Sequence, residues 1–134
     1  MRKVDLLSVV IPCHNEEDAL PQTQQVLTGQ LSALAAEEQC INYEIVYVNN
    51  GSTDQTQQVL ADIYKNDTHV RIIELRRNFG YQGSISAGLL YAKGDAVVTI
   101  DADLQDPPEK IKEMLVFYKE GYDLVLGVRR DRST

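Results

Sequence analysis

VTIDADLQDPPE, residues 98–109, decides how the chain folds. A run rich in β-branched residues stops at Asp101. Two carboxylates one residue apart follow, and a Pro-Pro pair opens the next segment. The run reads as the end of a central strand over 96–100, apolar on both faces apart from Thr99. Pro107 or Pro108 suits the first turn of a helix, where a missing N–H costs nothing. A strand apolar on both faces belongs in a parallel sheet covered by helices. Asp101 and Asp103 would then stand at that strand's carboxyl end.

The same alternation extends in both directions. Apolar runs over 6–11, 43–48, 70–75 and 123–128 predict four more strands. Between them, Leu20, Leu27, Leu31 and Leu34 recur at helical spacing, and Val59, Leu60 and Ile63 mark a second helix. Residues 81–92 predict a third helix. Ile111, Met114, Leu115 and Tyr118 form one face of a fourth. Asn15 with the following acids predicts the start of the first helix, and Ser52 with Gln55 a capping box for the second. Gly94 is expected to end the third helix in a left-handed conformation, and Gly121 to end the fourth. Strictly alternating strands and helices predict one α/β domain built from βαβ units around a parallel sheet.

Composition narrows the function. The 134 residues carry a net charge of -7, with 13 basic and 20 acidic side chains, and this argues against a nucleic-acid partner. Cys13 and Cys40 lie in no CxxC pattern, so free thiols in a reducing compartment are expected. The opening residues lack a signal-peptide pattern, and no apolar run has the length of a membrane span. The polar ending GVRRDRST shows no closing element, and the chain reads as a fragment of a longer protein.

In open parallel sheets the ligand sits outside the carboxyl ends of the strands. The loops expected there are PCHNEED, NNGSTD, RRNFGYQGS, DADLQDPPE and GVRRDRST, all rich in polar residues. Asp101 and Asp103, two apart in an extended segment, would point the same way, and Gln105 shares their parity. Two hard oxygens suit Mg²⁺ or Mn²⁺ and leave coordination positions for water or a substrate phosphate. For the motif taken in isolation, an acidic turn capping the next helix, with Asp106 as N-cap, is the favoured explanation. Asn49 or Asn50 could reach a base or ribose, yet an Asn-Gly turn after a strand is ordinary. Arg76, Arg77, Arg129 and Arg130 follow strand ends, where arginine suits phosphate, although such pairs are usually solvated.

Taken together, the loops resemble the family 2 glycosyltransferases, whose fold is the Rossmann-like GT-A nucleotide-sugar domain. The similarity runs through VVIPCHNEE, VNNGSTDQT, RRNFGYQGSISAGLLYAKGD and VTIDADLQDPPE. The last two are similar to the branch that transfers sugars to polyprenyl phosphate, including bactoprenol glucosyltransferases and dolichol-phosphate mannosyltransferases. The resemblance implies that residues 1–134 are the nucleotide-sugar-binding part of a GT-A domain truncated at its C-terminus. Pro12, His14 and Glu16 would line the nucleotide pocket. Val48, Asn49 and Asn50 would meet the base and ribose. Asp101, Ala102 and Asp103 would hold the metal and diphosphate, with Asp101 and Asp103 as the catalytic pair. Gln105 would complete the metal shell, and Arg129 would meet a phosphate. Asn49 and Asn50 stand where the family usually has an acidic pair.

The implied reaction moves a sugar, with inversion, from a UDP-sugar or alternatively GDP-mannose to a polyprenyl phosphate, assisted by Mg²⁺ or Mn²⁺. It would take place at the cytoplasmic face of the membrane in cell-envelope synthesis. Membrane contact is expected only through the missing C-terminal part, and self-association through apolar surface exposed by the truncation. Two other readings remain open: a sugar-hydroxyl acceptor, or a nucleotide-binding fragment without turnover.

Overall fold

A computed structural model describes residues 2–37, 39–40, 42–104, 108–123 and 125. Strand β1 (Leu6–Cys13) leads to helix α1 (Leu20–Ala36), β2 (Asn42–Asn50) to α2 (Thr56–Asn66), β3 (Val70–Leu75) to α3 (Gly80–Tyr91), and β4 (Ala96–Thr99) to α4 (Lys110–Lys119). The strands form one parallel sheet in the order β3-β2-β1-β4. Register is set by pairs such as Val10↔Val46 and Val10↔Thr99. This is the doubly covered α/β architecture that the alternation predicts.

Side-chain parity divides the core. Leu7, Val9, Ile11 and Cys13 of β1, with Tyr43, Ile45 and Tyr47 of β2, face the main cluster. Leu20, Leu27, Leu31 and Leu34 of α1, Leu60 of α2, and Ile111 and Leu115 of α4 cover them. Each fully buried leucine contributes about 1.5–3 kcal/mol. The opposite parity, Val10, Val46 and Val48, forms a smaller cluster beneath Ala87 of α3. There Gly88 lies directly on the sheet, where a Cβ would fall 2.3 Å from Val10 Cγ1.

The structure corrects several local expectations. Among the described residues only β1 pairs with β4. Val97 of β4 is 40% exposed. The fifth strand expected over 123–128 falls on a segment of which only residues 123 and 125 are described. Asn15 does not start α1. The helix begins at Leu20 after a turn closed by donation from Leu20 N–H to the Glu16 carbonyl. Ser52 and Gln55 form no capping box, and the second helix has no side-chain cap. Instead Asp54 Oδ1 accepts from both the N–H and the hydroxyl of Thr56. Gly94 is not left-handed; α3 ends at Ala92 in an extended conformation. Glycine is required at 94 by close approach, since a Cβ would meet Ser8 Oγ at 2.6 Å and the Leu6 carbonyl oxygen at 2.7 Å. Gly121 does end α4 with φ 115°.

Candidate functional site

The carboxyl ends of β1, β2 and β4 and the first turn of α3 enclose a cavity of about 360 Å³. Pro12 lines it from the end of β1, His14 and Glu16 from the loop that follows, Asn50 from β2, Asn78 from the approach to α3, Gly80 and Tyr81 from its first turn, and Asp101, Ala102 and Asp103 from the loop after β4. Of the residues expected from the sequence, Pro12, His14, Glu16, Asn50, Asp101, Ala102 and Asp103 thus come together in one place. Val48 and Asn49 do not line the cavity. Val48 is fully buried under α3, and Asn49 is buried on the other face of the sheet, where strand alternation must put it. Gln105 and Arg129 lie outside the described residues.

The two asparagines are structural latches. Asn49 Nδ2 donates to Glu74 Oε2 at 2.9 Å, and its Oδ1 accepts from Ser52 Oγ at 2.6 Å. Asn50 Oδ1 accepts from the Phe79 N–H at 2.9 Å. Its Nδ2 donates to Asn78 Oδ1 and to the Gly80 carbonyl, each at 3.1 Å. An acidic side chain at either position could make none of these donations. Both residues continue β2, so the expected turn begins only at Gly51 (φ 63°). A Cβ at Gly51 would lie 2.3 Å from Asn78 N, so β2 and the loop before α3 touch backbone to backbone there.

Asn15 staples the first loop to the second, a role its sequence context does not announce. It sits at φ 54°, a left-handed conformation that Asn tolerates. Its Oδ1 accepts from the Thr53 N–H at 2.8 Å, and its own N–H donates to Ser52 Oγ at 3.0 Å. His14 Nδ1 lies 2.8 Å from the Asn50 carbonyl and donates to it, which fixes the imidazole against the end of β2. The Glu16 N–H donates to Thr56 Oγ1 at 2.9 Å.

The loop after β4 is a turn rather than the extended segment expected. β4 ends at Thr99, and the Leu104 N–H donates to the Asp101 carbonyl at 3.4 Å, with Leu104 at φ 60°. Asp101 and Asp103 line the same cavity because the chain turns there, not because of strand pleat. Two contacts that the sequence does not signal hold this turn. Buried Thr23 of α1 donates its hydroxyl to the Ala102 carbonyl at 2.5 Å, and Tyr81 of α3 donates its hydroxyl to Asp101 Oδ1 at 3.1 Å. The electrostatics agree with this convergence. Burial, and then the nearby carboxylates of Asp103 and Asp101, push the Glu16 carboxyl above its ordinary pKa. Among the described residues no three His, Cys, Asp or Glu side chains close on a single metal position. The donor set of Asp101 and Asp103 is two hard oxygen groups beside an open cavity. That chemistry fits Mg²⁺ or Mn²⁺ sharing its shell with a ligand's phosphates.

The profile of glycosyl transferase family 2 matches residues 8–134. The chain belongs to glycosyl transferase family 2. An uncharacterized glycosyltransferase of Synechocystis sp. is 48% identical over 127 residues, 95% of this chain and 38% of that protein. The undecaprenyl-phosphate 4-deoxy-4-formamido-L-arabinose transferase of Proteus mirabilis is 41% identical over 132 residues, 98% of this chain and 39% of that protein. The chain thus spans about two fifths of the length of the curated relatives it matches. S. aureus TarS 1-349 in complex with UDP-GlcNAc is 27% identical with a TM-score of 0.59, over 81% of this chain and 31% of that one. A mannosyltransferase from Pyrobaculum calidifontis, solved with GDP-Man and Mn²⁺, shares the fold with a TM-score of 0.69 at 19% identity, over 85% of this chain and 32% of that one. The family 2 domain here has the GT-A fold. No helix among the described residues is long and apolar enough to cross a membrane.

Proposed function

We propose that the whole protein is an inverting glycosyltransferase that moves a sugar from a nucleoside-diphosphate sugar, a UDP-sugar in preference to GDP-mannose, to a polyprenyl phosphate. Residues 1–134 form its donor side. The observation that carries this reading is the convergence of His14, Glu16, Asn50, Asp101 and Asp103 on one cavity at the carboxyl ends of a parallel sheet. The relatives named for transfer to undecaprenyl phosphate support the acceptor class.

Pro12, His14 and Asn50 form the nucleotide wall, with the Asn50 side chain committed to holding the Asn78–Gly80 segment in place. Asp101 and Asp103 would hold Mg²⁺ or Mn²⁺, with Gln105 and Arg129 as further ligands of the cation and phosphate. When bound, the cation supplies electrostatic stabilisation of the departing nucleoside diphosphate. Glu16, Asp101 and Asp103 make this wall of the cavity acidic, so a diphosphate would enter together with its cation. The acceptor phosphate is already anionic near neutrality, its second pKa being about 6. It therefore needs no strong general base of the kind a sugar hydroxyl requires. The site's task is to place the donor so that the acceptor oxygen attacks the anomeric carbon opposite the leaving diphosphate.

The test is transfer of labelled sugar by the whole protein, in the membrane, to undecaprenyl phosphate at the inner leaflet. A lipid-linked sugar lost on Asp103→Ala is expected. Transfer to a sugar hydroxyl instead, or no transfer from any nucleotide sugar, would refute the reading.

A further inference from the structure

We propose that Tyr81 is a positioning residue for the cation-binding carboxylate. Its hydroxyl, donating to Asp101 Oδ1 at 3.1 Å, holds that carboxylate in its binding orientation before any ligand arrives. The inference rests on the donor-site reading above. Tyr81 stands in the first turn of α3, whereas Asp101 follows β4 on the far side of β1. The hydroxyl ties the start of α3 to the loop after β4 across 20 residues of chain.

The first turn of α3 is rigid enough for this role. Asn50 binds the Phe79 N–H, the Asn78 side chain and the Gly80 carbonyl, and buried Ser84 donates to the Tyr81 carbonyl at 2.7 Å. Gly88 lets the helix rest directly on Val10. The Tyr81 ring, by contrast, is 57% exposed, so packing alone does not place the hydroxyl. The hydroxyl's donation to Oδ1 takes up one of the roughly four lone-pair sites of a carboxylate. Groups that orient a metal-binding side chain typically contribute about 10–100-fold to metal affinity.

The experiment measures free Mn²⁺ by electron paramagnetic resonance while the protein is titrated at saturating UDP. It compares the unaltered chain with Tyr81→Phe and Asp101→Ala, and UDP affinity is also measured without cation. Tyr81→Phe keeps the ring, and its thermal midpoint is expected to be unchanged. Its Mn²⁺ affinity should fall about tenfold, its cation-free UDP affinity should not change, and Asp101→Ala should abolish Mn²⁺ binding. Unaltered Mn²⁺ affinity in Tyr81→Phe overturns the assignment and leaves the donor-site reading standing. An equal loss of UDP affinity with and without Mn²⁺ also overturns it, because Tyr81 would then act on the nucleotide. Absence of Mn²⁺ binding by the unaltered protein overturns both.

Discussion

Replacing Asn50 by Asp tests how the cavity-facing end of β2 is held, with a nearly isosteric side chain. Asn50 is only 5% exposed. Its Nδ2 makes two donations, to Asn78 Oδ1 and the Gly80 carbonyl, while Oδ1 accepts from the Phe79 N–H. Asn50→Asp keeps the accepted bond but turns both donations into contacts between oxygens. Each lost bond costs about 1 kcal/mol, and placing a carboxylate against two acceptors in a buried site adds about 1 kcal/mol more. The sum is about 3 kcal/mol. For a chain of 134 residues that corresponds to a midpoint lowered by about 10 °C. Thermal unfolding followed by circular dichroism at neutral pH gives the number. A second feature separates this mechanism from a generic defect. Facing two acceptors, the introduced carboxyl has a folded pKa raised above its unfolded value, so the variant regains stability as pH falls through that raised pKa, because a protonated acid can donate once. A midpoint within about 2 °C of the unaltered protein, or a deficit that does not shrink on acidification, would refute the latch.

Two further outcomes are expected. Thr23→Val leaves the buried Ala102 carbonyl without its hydroxyl donor. It should cost about 1–2 kcal/mol in denaturant unfolding and weaken cation-dependent nucleotide binding, because the same turn carries Asp101 and Asp103. At Glu44, burial acts to raise the carboxyl pKa, but donation from Ser8 Oγ, the Lys93 N–H and Arg71 outweighs it and holds the pKa below 4.5. The resulting stabilisation is present above that ordinary value and is lost as pH falls through the lower folded pKa. Glu44→Gln should therefore cost about 2 kcal/mol at pH 7 in urea unfolding, and the gap to the unaltered protein should close in acid.

The alternation of apolar strands and amphipathic helices made the fold legible, because each element declares its period in sequence. The leucines of α1 and the Ile111 and Leu115 stripe of α4 lie where that period puts them. What escaped was carried by hydrogen bonds between distant segments. β2 runs on through Asn49 and Asn50, although asparagine usually marks a turn, because Glu74, Ser52, Asn78 and the Gly80 carbonyl satisfy both side chains within the fold. Asn15 looked like a helix start because an Asn followed by acids is the local signature of one. Its real partners lie near Thr53. Thr23 and Tyr81 each act on the loop after β4 from another element, at sequence separations of 79 and 20 residues, and no local pattern announces such contacts. The site's position was legible from topology, since the polar loops gather at one end of a parallel sheet. Asp101 and Asp103 line one cavity as expected, but through a turn rather than a pleat.

The most direct test of the donor site is calorimetric titration of UDP and GDP into this chain, with and without Mn²⁺. Mn²⁺ is expected to strengthen binding of UDP, and of UDP more than GDP. Combined Asp101→Ala and Asp103→Ala should remove the Mn²⁺-dependent part while the chain stays folded. If neither nucleotide binds, or if removing both carboxylates leaves the Mn²⁺ dependence unchanged, the cavity at the carboxyl ends of β1, β2 and β4 is not a nucleotide-sugar site.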